Sequence, residues 1–179
     1  MSSRPTEEEW HATLAKAYGD EKATAIIPTL KKEYPQKKIQ TLSYMCAGSF
    51  LNGLGMRNNV VKMAKLKYDQ KAAPAYTYYF TWQTPILDGL PGAWHTAELQ
   101  FCFDNTKRCE QGTGNTPEAQ ALAKKMATAW ANFARTGNPS QAGLTWTPTD
   151  PTTNKAMVWD NKCRMENDPE GEARKIILS

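Results

Sequence analysis

One histidine, in an aromatic setting, has the side chain best suited to acid–base chemistry. His95 follows Trp94 within the run Gly92-Ala-Trp-His-Thr-Ala-Glu-Leu99, just after a loop rich in proline and glycine. A neutral imidazole can take a proton from a nucleophile and return it to a leaving group, provided that a carboxylate orients its other nitrogen. Judged by composition alone, a histidine beside a tryptophan is more often structural than catalytic.

The other candidates for chemistry are weaker. His11 lies among acidic residues on a predicted helix surface, which favours a solvated role. The four cysteines lack the paired C-x-x-C spacing of a zinc site, and two histidines are too few for an ordinary transition-metal centre. We therefore expect no metal and no cofactor. Cys102 and Cys109 could close a small disulfide loop in an oxidising compartment, but spacing alone does not fix the pairing of Cys46, Cys102, Cys109 and Cys163.

Length and composition indicate one globular domain. The chain has 179 residues, of which 40 % are hydrophobic and 22 % charged, with a net charge of +4. The lysines and arginines are scattered, which argues against nucleic-acid binding. No apolar stretch approaches the roughly 20 residues of a membrane span, and residues 1–5 lack the apolar core of a signal peptide. The compartment stays open: cytoplasmic, periplasmic and secreted locations all fit.

The first 70 residues are predicted to be helical. Thr6-Glu-Glu-Glu9 has the form of a capping box, and Gly19 can end that helix in the left-handed conformation. A second helix over about 21–33 stops at Tyr34-Pro35. A longer helical stretch over about 37–70 contains three glycines in its centre, at 47–55, where we expect it to be loosened.

The middle of the chain carries the clearest strand and the segment with the histidine. Residues 74–82 are aromatic-rich and bounded by turn residues, which predicts a β-strand. Residues 83–92 form a predicted irregular loop, and a short segment begins at His95.

The best helix signal follows at 117–136. Thr116 is its predicted cap, Pro117 its first residue and Gly137 the residue after its end. Two short strands, 156–159 and 162–165, precede a final helix that opens near Asp168. About five helices against about three strands favours either a mainly helical domain or one edge of a larger sheet.

Four segments, in sequential order, resemble the type-B carboxylesterases. The first is an aromatic strand, Tyr76–Trp82 with Pro85, and the second is Gly92–Asn105, in which a Gly-Ala-aromatic-His run is followed by Glu-Leu and Phe-x-Phe. The third is a late amphipathic helix with its exit turn, Met126–Pro139. The fourth is a closing segment made of Leu144–Trp146, Met157–Asp160 and Asn167–Pro169. The likeness runs from about Thr6 to the C-terminus, weakly before Tyr34 and strongly after Pro74.

The resemblance implies the C-terminal part of an α/β-hydrolase fold. We expect an α/β chain that is mainly helical, with about three strands that would complete a larger sheet. Residues 1–179 would form a single domain with a helical part at about 6–70, a strand and histidine loop at about 74–105, a late helix at 117–136, and closing strands and helix at 156–179.

The family's triad runs in the order serine, acid, histidine, and only its last member has a counterpart in this sequence. There is no G-x-S-x-G motif, since Ser49 lacks framing glycines in register, and the acid and oxyanion-hole segments have no counterpart either. We therefore expect Met1 to mark an artificial truncation or a split gene.

The resemblance also assigns roles near the histidine. It makes His95 the catalytic base and Glu98 a structural residue, bonded to backbone or to an arginine, although Glu98 could instead pair with His95 across one helical turn. Trp82, Trp94 and the loop 83–92 would line an acyl or alcohol pocket, because such pockets are apolar. Met126, Trp130 and Phe133 would be core, and Arg135 and Asn138 would support the exit turn.

The functional prediction is a serine carboxylesterase in which this chain supplies the histidine. Alone, the chain is expected to be inactive towards its ester substrate. Its partner would be the missing N-terminal part of the hydrolase, or a second copy joined through the exposed sheet edge. The alternatives are a non-enzymatic cholinesterase-like adhesion or binding module, and a self-standing helical domain of hydrolase origin.

Overall fold

The structure, a computed structural model, describes residues 5–46 and 53–179, and its first helix begins where the capping box predicts. The helices are α1 Glu7–Tyr18, α2 Asp20–Glu33, α3 Ile39–Cys46, α4 Gly53–Asp69, α5 Leu99–Cys102, α6 Glu110–Thr113, α7 Pro117–Thr136 and α8 Gly171–Leu178. The strands are β1 Tyr78–Phe80, β2 Ala156–Trp159 and β3 Arg164–Glu166, and two short 3-10 helices span Ile86–Gly89 and Thr106–Cys109.

The chain divides into two compact units, Met1–Met63 with Glu170–Ser179, and Ala64–Pro169. In the first unit, Thr6 and Glu9 form the predicted capping box: the Thr6 amide donates to Glu9 Oε2 at 2.8 Å, and the Glu9 amide donates to Thr6 Oγ1 at 3.2 Å. Gly19 ends α1, but with φ +92° and ψ 156° rather than in the predicted left-handed helical conformation. The reason is that α2 starts at the next residue, so the chain must reverse direction at Gly19 instead of extending the last turn.

Helices α1, α2, α3 and α8 share the core of this first unit. The buried residues are Trp10, Leu14, Ala23, Ile26, Ile27, Leu30, Tyr34, Leu42 and Ala173. The predicted break in the long helical stretch falls between α3 and α4, and residues 47–52 at its centre lie outside the described residues. Single-domain organisation of the whole chain stays a prediction.

The second unit contains a three-stranded sheet in the order β1-β2-β3. β1 pairs parallel with β2, with Tyr78 opposite Met157, and β2 pairs antiparallel with β3. The predicted strand 74–82 was therefore too long, because only three of its residues are in β1. Part of the segment before β1 bonds to another loop instead: the Thr149 amide donates to the Ala75 carbonyl at 2.7 Å, and the Thr77 amide donates to Thr149 Oγ1 at 3.0 Å.

α7 begins and ends as predicted. The Thr116 hydroxyl accepts a hydrogen bond from the Ala119 amide at 3.3 Å, and Gly137 adopts the left-handed conformation with its amide bonded to Phe133. The predicted apolar face is buried only over its first turns, through Met126 and Ala129. Trp130 is half-buried and Phe133 is 49 % exposed. The expected core stripe thus ends before Phe133, whose ring meets that of Tyr76 in a T-shaped contact with 5.8 Å between the centroids.

Aromatic side chains dominate the core of the second unit. Its large buried members are Trp82, Phe101, Leu122, Met126, Trp146, Met157 and Trp159. The mainly helical α/β composition with three strands is confirmed. No helix in the described ranges has both the length and the apolar character needed to cross a membrane.

Candidate active site

The segment that carries His95 leaves the sheet at the carboxyl end of β1. Because β1 and β2 are parallel, their carboxyl ends lie at the same edge, and ligand sites of α/β sheets form at such edges. Beyond β1 the chain stays tied to β2, since the Thr81 and Trp82 amides lie 2.9 and 3.2 Å from the Trp159 carbonyl. The exit point of the histidine segment is thereby fixed.

Between the sheet and the histidine, the predicted irregular loop contains a short 3-10 turn. Leu87, Asp88 and Gly89 have φ values of +50°, +60° and +73°. Gln83 bridges this turn by donating from Nε2 to the Gly89 carbonyl at 3.0 Å. Left-handed backbone at Leu87 is unfavourable for a residue with a Cβ, so the turn is held by its surroundings rather than by its own preference.

His95 occupies the corner of a tight turn. The Ala97 amide donates to the Trp94 carbonyl at 3.0 Å, which makes His95 and Thr96 the central pair of a β-turn. Only the second of these has a positive φ, of +72°, which is the feature of a type II turn. Glycine or asparagine usually fills that position, and a β-branched threonine there costs on the order of 1–2 kcal/mol. Such strain is often found at functional sites.

The imidazole of His95 is exposed and takes no part in the hydrogen bonds and ion pairs among the residues that the structure describes. The pairing with Glu98, considered from the sequence, is not formed there. The chain thus presents a histidine without a nucleophile or an orienting carboxylate beside it in residues 5–46 and 53–179. Among the described residues, the imidazole is therefore not part of a hydrogen-bonded proton relay.

Glu98 directly precedes α5 and lies beside a phenol and a thiol. Burial raises the pKa of Tyr78 to about 12, and the negative charge of Glu98 adds to the rise. Burial also raises the pKa of Cys102 to about 12, again with a contribution from Glu98. Glu98 therefore lies close enough to Tyr78 and Cys102 to raise both pKa values, and its role as a structural residue near His95 stays a prediction.

The two candidate pocket tryptophans differ in their surroundings. Trp82 is 2 % exposed, and its ring centroid lies 4.8 Å from that of Phe101, so its indole packs in the core. Trp94 is half-buried and packs against Gly112. His95, Trp94 and Glu98 lie within one five-residue segment, whereas Trp82 lies beneath it at the end of β1. That both tryptophans line a substrate pocket stays a prediction.

One apolar cavity was not anticipated. It has a volume of about 170 Å³ and lies between β1 and α7, and five of its seven lining residues are aromatic: Tyr76, Tyr78, Ala129, Trp130, Phe133, Pro139 and Trp146. Tyr76 and Tyr78 are two residues apart, the spacing at which side chains of an extended chain point to the same side, although only Tyr78 is in β1. That period-2 pattern is the signal from which this wall could have been found.

The cysteines that the structure describes with their side chains are free thiols, namely Cys102, Cys109 and Cys163. The disulfide considered between Cys102 and Cys109 is therefore not formed. A group of three or more histidine, cysteine or acidic side chains suited to a metal ion is also not found among the described residues.

Comparison with known proteins gives one consistent family. The family model described as "Carboxylesterase family" matches residues 3–176. The para-nitrobenzyl esterase of Bacillus subtilis (strain 168) is 34 % identical over 108 residues, which are 59 % of this chain and 22 % of that protein. The bile salt-activated lipase of Mus musculus is 34 % identical over 82 residues, or 45 % of this chain and 13 % of the lipase.

Solved structures match nearly the whole chain. A structure of PNB esterase aligns with 100 % of this chain and 35 % of its own, with a TM-score of 0.64 at 25 % identity. An esterase from anaerobic Clostridium hathewayi, which can hydrolyze aliphatic aromatic polyesters, aligns with 99 % of this chain and 33 % of its own. Its TM-score is 0.69 at 20 % identity, a likeness of fold alone.

The chain thus spans about a third of the length of the solved structures it matches. Its helices and three-stranded sheet are part of an α/β-hydrolase fold, and the match over residues 3–176 covers the histidine turn together with the elements that hold it. This chain belongs to the carboxylesterase family.

Proposed function

We propose that this chain supplies the catalytic histidine, His95, of a serine carboxylesterase. The observation that carries the proposal is the exposed His95 at the corner of a strained turn, in the segment that leaves the sheet at the carboxyl end of β1, in a chain of the carboxylesterase family. An exposed corner leaves the imidazole open to a partner group from outside the chain. Because the chain leaves β1 at a fixed point, the position at which the partner group can reach the imidazole is restricted.

In the proposed reaction, the neutral imidazole accepts the proton of a serine hydroxyl as its oxygen attacks the ester carbonyl carbon. The imidazolium then gives this proton to the departing alcohol oxygen, and an acyl-enzyme is left. Water then attacks the acyl carbon while His95 takes one of its protons. The acyl–serine bond breaks, the carboxylic acid is released, and the imidazolium returns the proton to the serine oxygen. The serine, the orienting carboxylate and the oxyanion hole would come from residues that this sequence does not contain.

This division of labour makes the purified chain inactive. Because no activated nucleophile is present, a chromogenic short-chain ester should be hydrolysed no faster than in buffer. Turnover that disappears in His95→Ala would mean that this chain holds its own nucleophile, and the proposal in this form would then be wrong.

The partner would add a strand to the free side of β1. In the sheet of the second unit, β1 is the outer strand, with β2 as its hydrogen-bonded neighbour. A strand added parallel to β1 would bring its own carboxyl end to the edge from which the His95 segment leaves. Residues that follow such a strand would then leave the sheet on the same side as that segment, where a triad acid or nucleophile is needed. The half-exposed rings of Tyr78 and Phe133 offer apolar area for the same contact.

Complementation tests both parts of the proposal. The chain would be co-expressed with the portion of the Bacillus subtilis para-nitrobenzyl esterase that precedes its aligned region, and ester hydrolysis would be measured. Activity should appear with the wild-type chain and with His11→Gln, the matched control at the other histidine, but not with His95→Gln. A His95→Gln pair as active as the wild type would overturn the assignment. Sedimentation of the chain alone would show whether it instead pairs with a second copy.

A further inference from the structure

We infer that Gly112 and Trp94 form a positioning device that sets the orientation of the His95 turn. Its catalytic meaning rests on the proposed function, but the packing relation itself does not. Gly112 lies 17 residues beyond His95 in sequence, in the short helix α6, and neither the sequence patterns nor the family match singles it out. The contacts around it connect the end of β1, the histidine turn and a rigid loop.

The loop that carries Gly112 is held by its own polar side chains. The buried Thr113 hydroxyl donates a bifurcated hydrogen bond to the carbonyls of Thr106, at 3.0 Å, and Cys109, at 3.1 Å. The same oxygen accepts a hydrogen bond from the Asn115 amide at 3.2 Å, while the Thr106 hydroxyl donates to Asn115 Oδ1 at 3.0 Å. Several hydrogen bonds thus join residues 106–115 to one another, so this loop can act as a fixed support.

This support is also attached to the start of the histidine segment. The buried Thr84 hydroxyl donates to the Gly112 carbonyl and accepts from the Ile86 amide at 3.1 Å. Gly114, with φ +63°, approaches Pro85, the residue after Thr84. A Cβ on Gly114 would lie 2.8 Å from Pro85 Cγ. The segment is therefore anchored to the 106–115 loop shortly after it leaves β1.

The second attachment is the indole of Trp94. A Cβ on Gly112 would lie 3.1 Å from both Cη2 and Cζ2 of Trp94, closer than ordinary van der Waals contact. Gly112 does not have a positive φ, so its lack of a side chain provides room for the indole rather than backbone freedom. The Trp94 carbonyl in turn closes the β-turn by accepting the Ala97 amide, so the position of the indole and the position of His95 are coupled through one residue.

A methyl group at position 112 should therefore move the histidine. Trp94 would have to give way by a few tenths of an ångström, and the turn that hangs from it would rotate with it. Errors of about 1 Å in a reacting group can lower rates about a hundredfold. The free energy of unfolding would change less, because alanine fits a helix better than glycine and lowers the conformational entropy of the unfolded chain. Both effects offset part of the cost of the closer contact.

Nuclear magnetic resonance of the full 179-residue chain tests the packing relation without any catalytic assumption. The chain has two histidines, so selective histidine labelling gives two sets of imidazole signals, which His11→Gln and His95→Gln assign. In Gly112→Ala we expect the His95 signals to shift or broaden while those of His11 stay in place. Gln111→Ala, at an exposed position of the same helix α6, should leave both unchanged. Unchanged His95 signals in folded Gly112→Ala would overturn the inference.

A pair of reciprocal variants covers the case in which Gly112→Ala does not fold. Trp94→Phe removes the indole atoms that meet Gly112, so it should also displace the His95 signals. Adding Gly112→Ala to Trp94→Phe refills part of that space, and the signals should move back towards the wild type. If the double variant is no closer to wild type than Trp94→Phe, the contact does not position the turn.

The complemented enzyme then separates this inference from the proposed function. Gly112→Ala should lower kcat by roughly twofold to tenfold with KM little changed, because the displacement is smaller than 1 Å, and Trp94→Phe/Gly112→Ala should recover part of it. Full activity in His95→Gln would reject the catalytic role but leave the packing relation standing. Loss of activity in His95→Gln together with an unaffected kcat in Gly112→Ala would reject the positioning role alone.

Discussion

The Thr81 hydroxyl donates a hydrogen bond of 2.9 Å to Oδ2 of Asp160, and this bond joins the residues that follow β1 and β2 at their carboxyl ends. Thr81 is buried, and its amide is bonded to the Trp159 carbonyl beside it. Two parallel strands that begin to diverge are thus held together at the edge from which the His95 segment leaves.

Removing that hydroxyl should destabilise the second unit. In Thr81→Val the shape is kept, but the carboxylate loses a buried donor, so we expect the free energy of unfolding to fall by about 1.5–3 kcal/mol. Urea unfolding followed by tryptophan fluorescence would measure the change. Thr128→Val is the matched control, since this exposed hydroxyl only bonds back to the Lys124 carbonyl in α7, and it should cost less than about 0.5 kcal/mol. Equal losses in the two variants would contradict the role of the Thr81 bond.

At the turn that contains His95 and Thr96, a substitution should raise the free energy of unfolding rather than lower it. Asparagine tolerates positive φ better than threonine, so Thr96→Asn should raise the free energy of unfolding by about 1 kcal/mol. Thr96→Val keeps the β-branch and should bring no such gain. A Thr96→Asn variant no more stable than Thr96→Val, in the same urea experiment, would show that the positive φ is not strained.

Burial of Tyr78, with the negative charge of Glu98 nearby, should make the free energy of unfolding fall at high pH. Folding raises the Tyr78 pKa from 10.0 to about 12, so the folded state favours the neutral phenol. The stabilisation is complete below about pH 10, and it is lost as the pH rises towards 12 because the unfolded chain releases this proton first. Tyr78→Phe should therefore unfold with a shallower loss between pH 10 and 12 than the wild type. Parallel curves for the two proteins would be the contrary result.

Cys102 should be chemically quiet in the folded chain. Its pKa is raised from 9.0 to about 12 by burial and by Glu98, which lowers the thiolate fraction at pH 8 by about a hundredfold or more. Because the thiolate is the reactive form, alkylation by iodoacetamide should be slowed by a similar factor relative to the chain in urea. Peptide mass mapping over time would follow the modification. Glu98→Gln should speed it, since the repelling charge is removed, and an unchanged rate would count against that contribution.

Local signals predicted the helices well because the forces that end a helix are local. Thr116, Pro117 and Gly137 set both ends of α7 through one cap, one fixed dihedral and one left-handed residue, none of which depends on distant contacts. The burial of its face was harder to predict. Phe133 fits the apolar period of the helix, yet its exposure depends on which other elements pack beside it, which the helix sequence does not encode.

For the candidate site, the sequence located the histidine but not its support. The family-like run around His95 predicted a loop position after an aromatic strand, and the chain exits from β1 as expected. The contact of Gly112 with Trp94 could not be predicted, because a glycine that provides room for a side chain looks like any other glycine in a sequence. Trp82 was similarly ambiguous, since an aromatic residue at a strand end suits a pocket wall and a core equally well.

The parallel pairing of Tyr78 with Met157 has a further consequence for how the chain acquires its structure. The two strands lie nearly eighty positions apart, so closing that loop costs entropy before any of the ladder forms, whereas α7 lies wholly within the loop and has both ends closed by neighbours. During refolding, helical signal should therefore appear before the sheet is complete. His95 would gain its fixed position only in that later event, when β1 and β2 join.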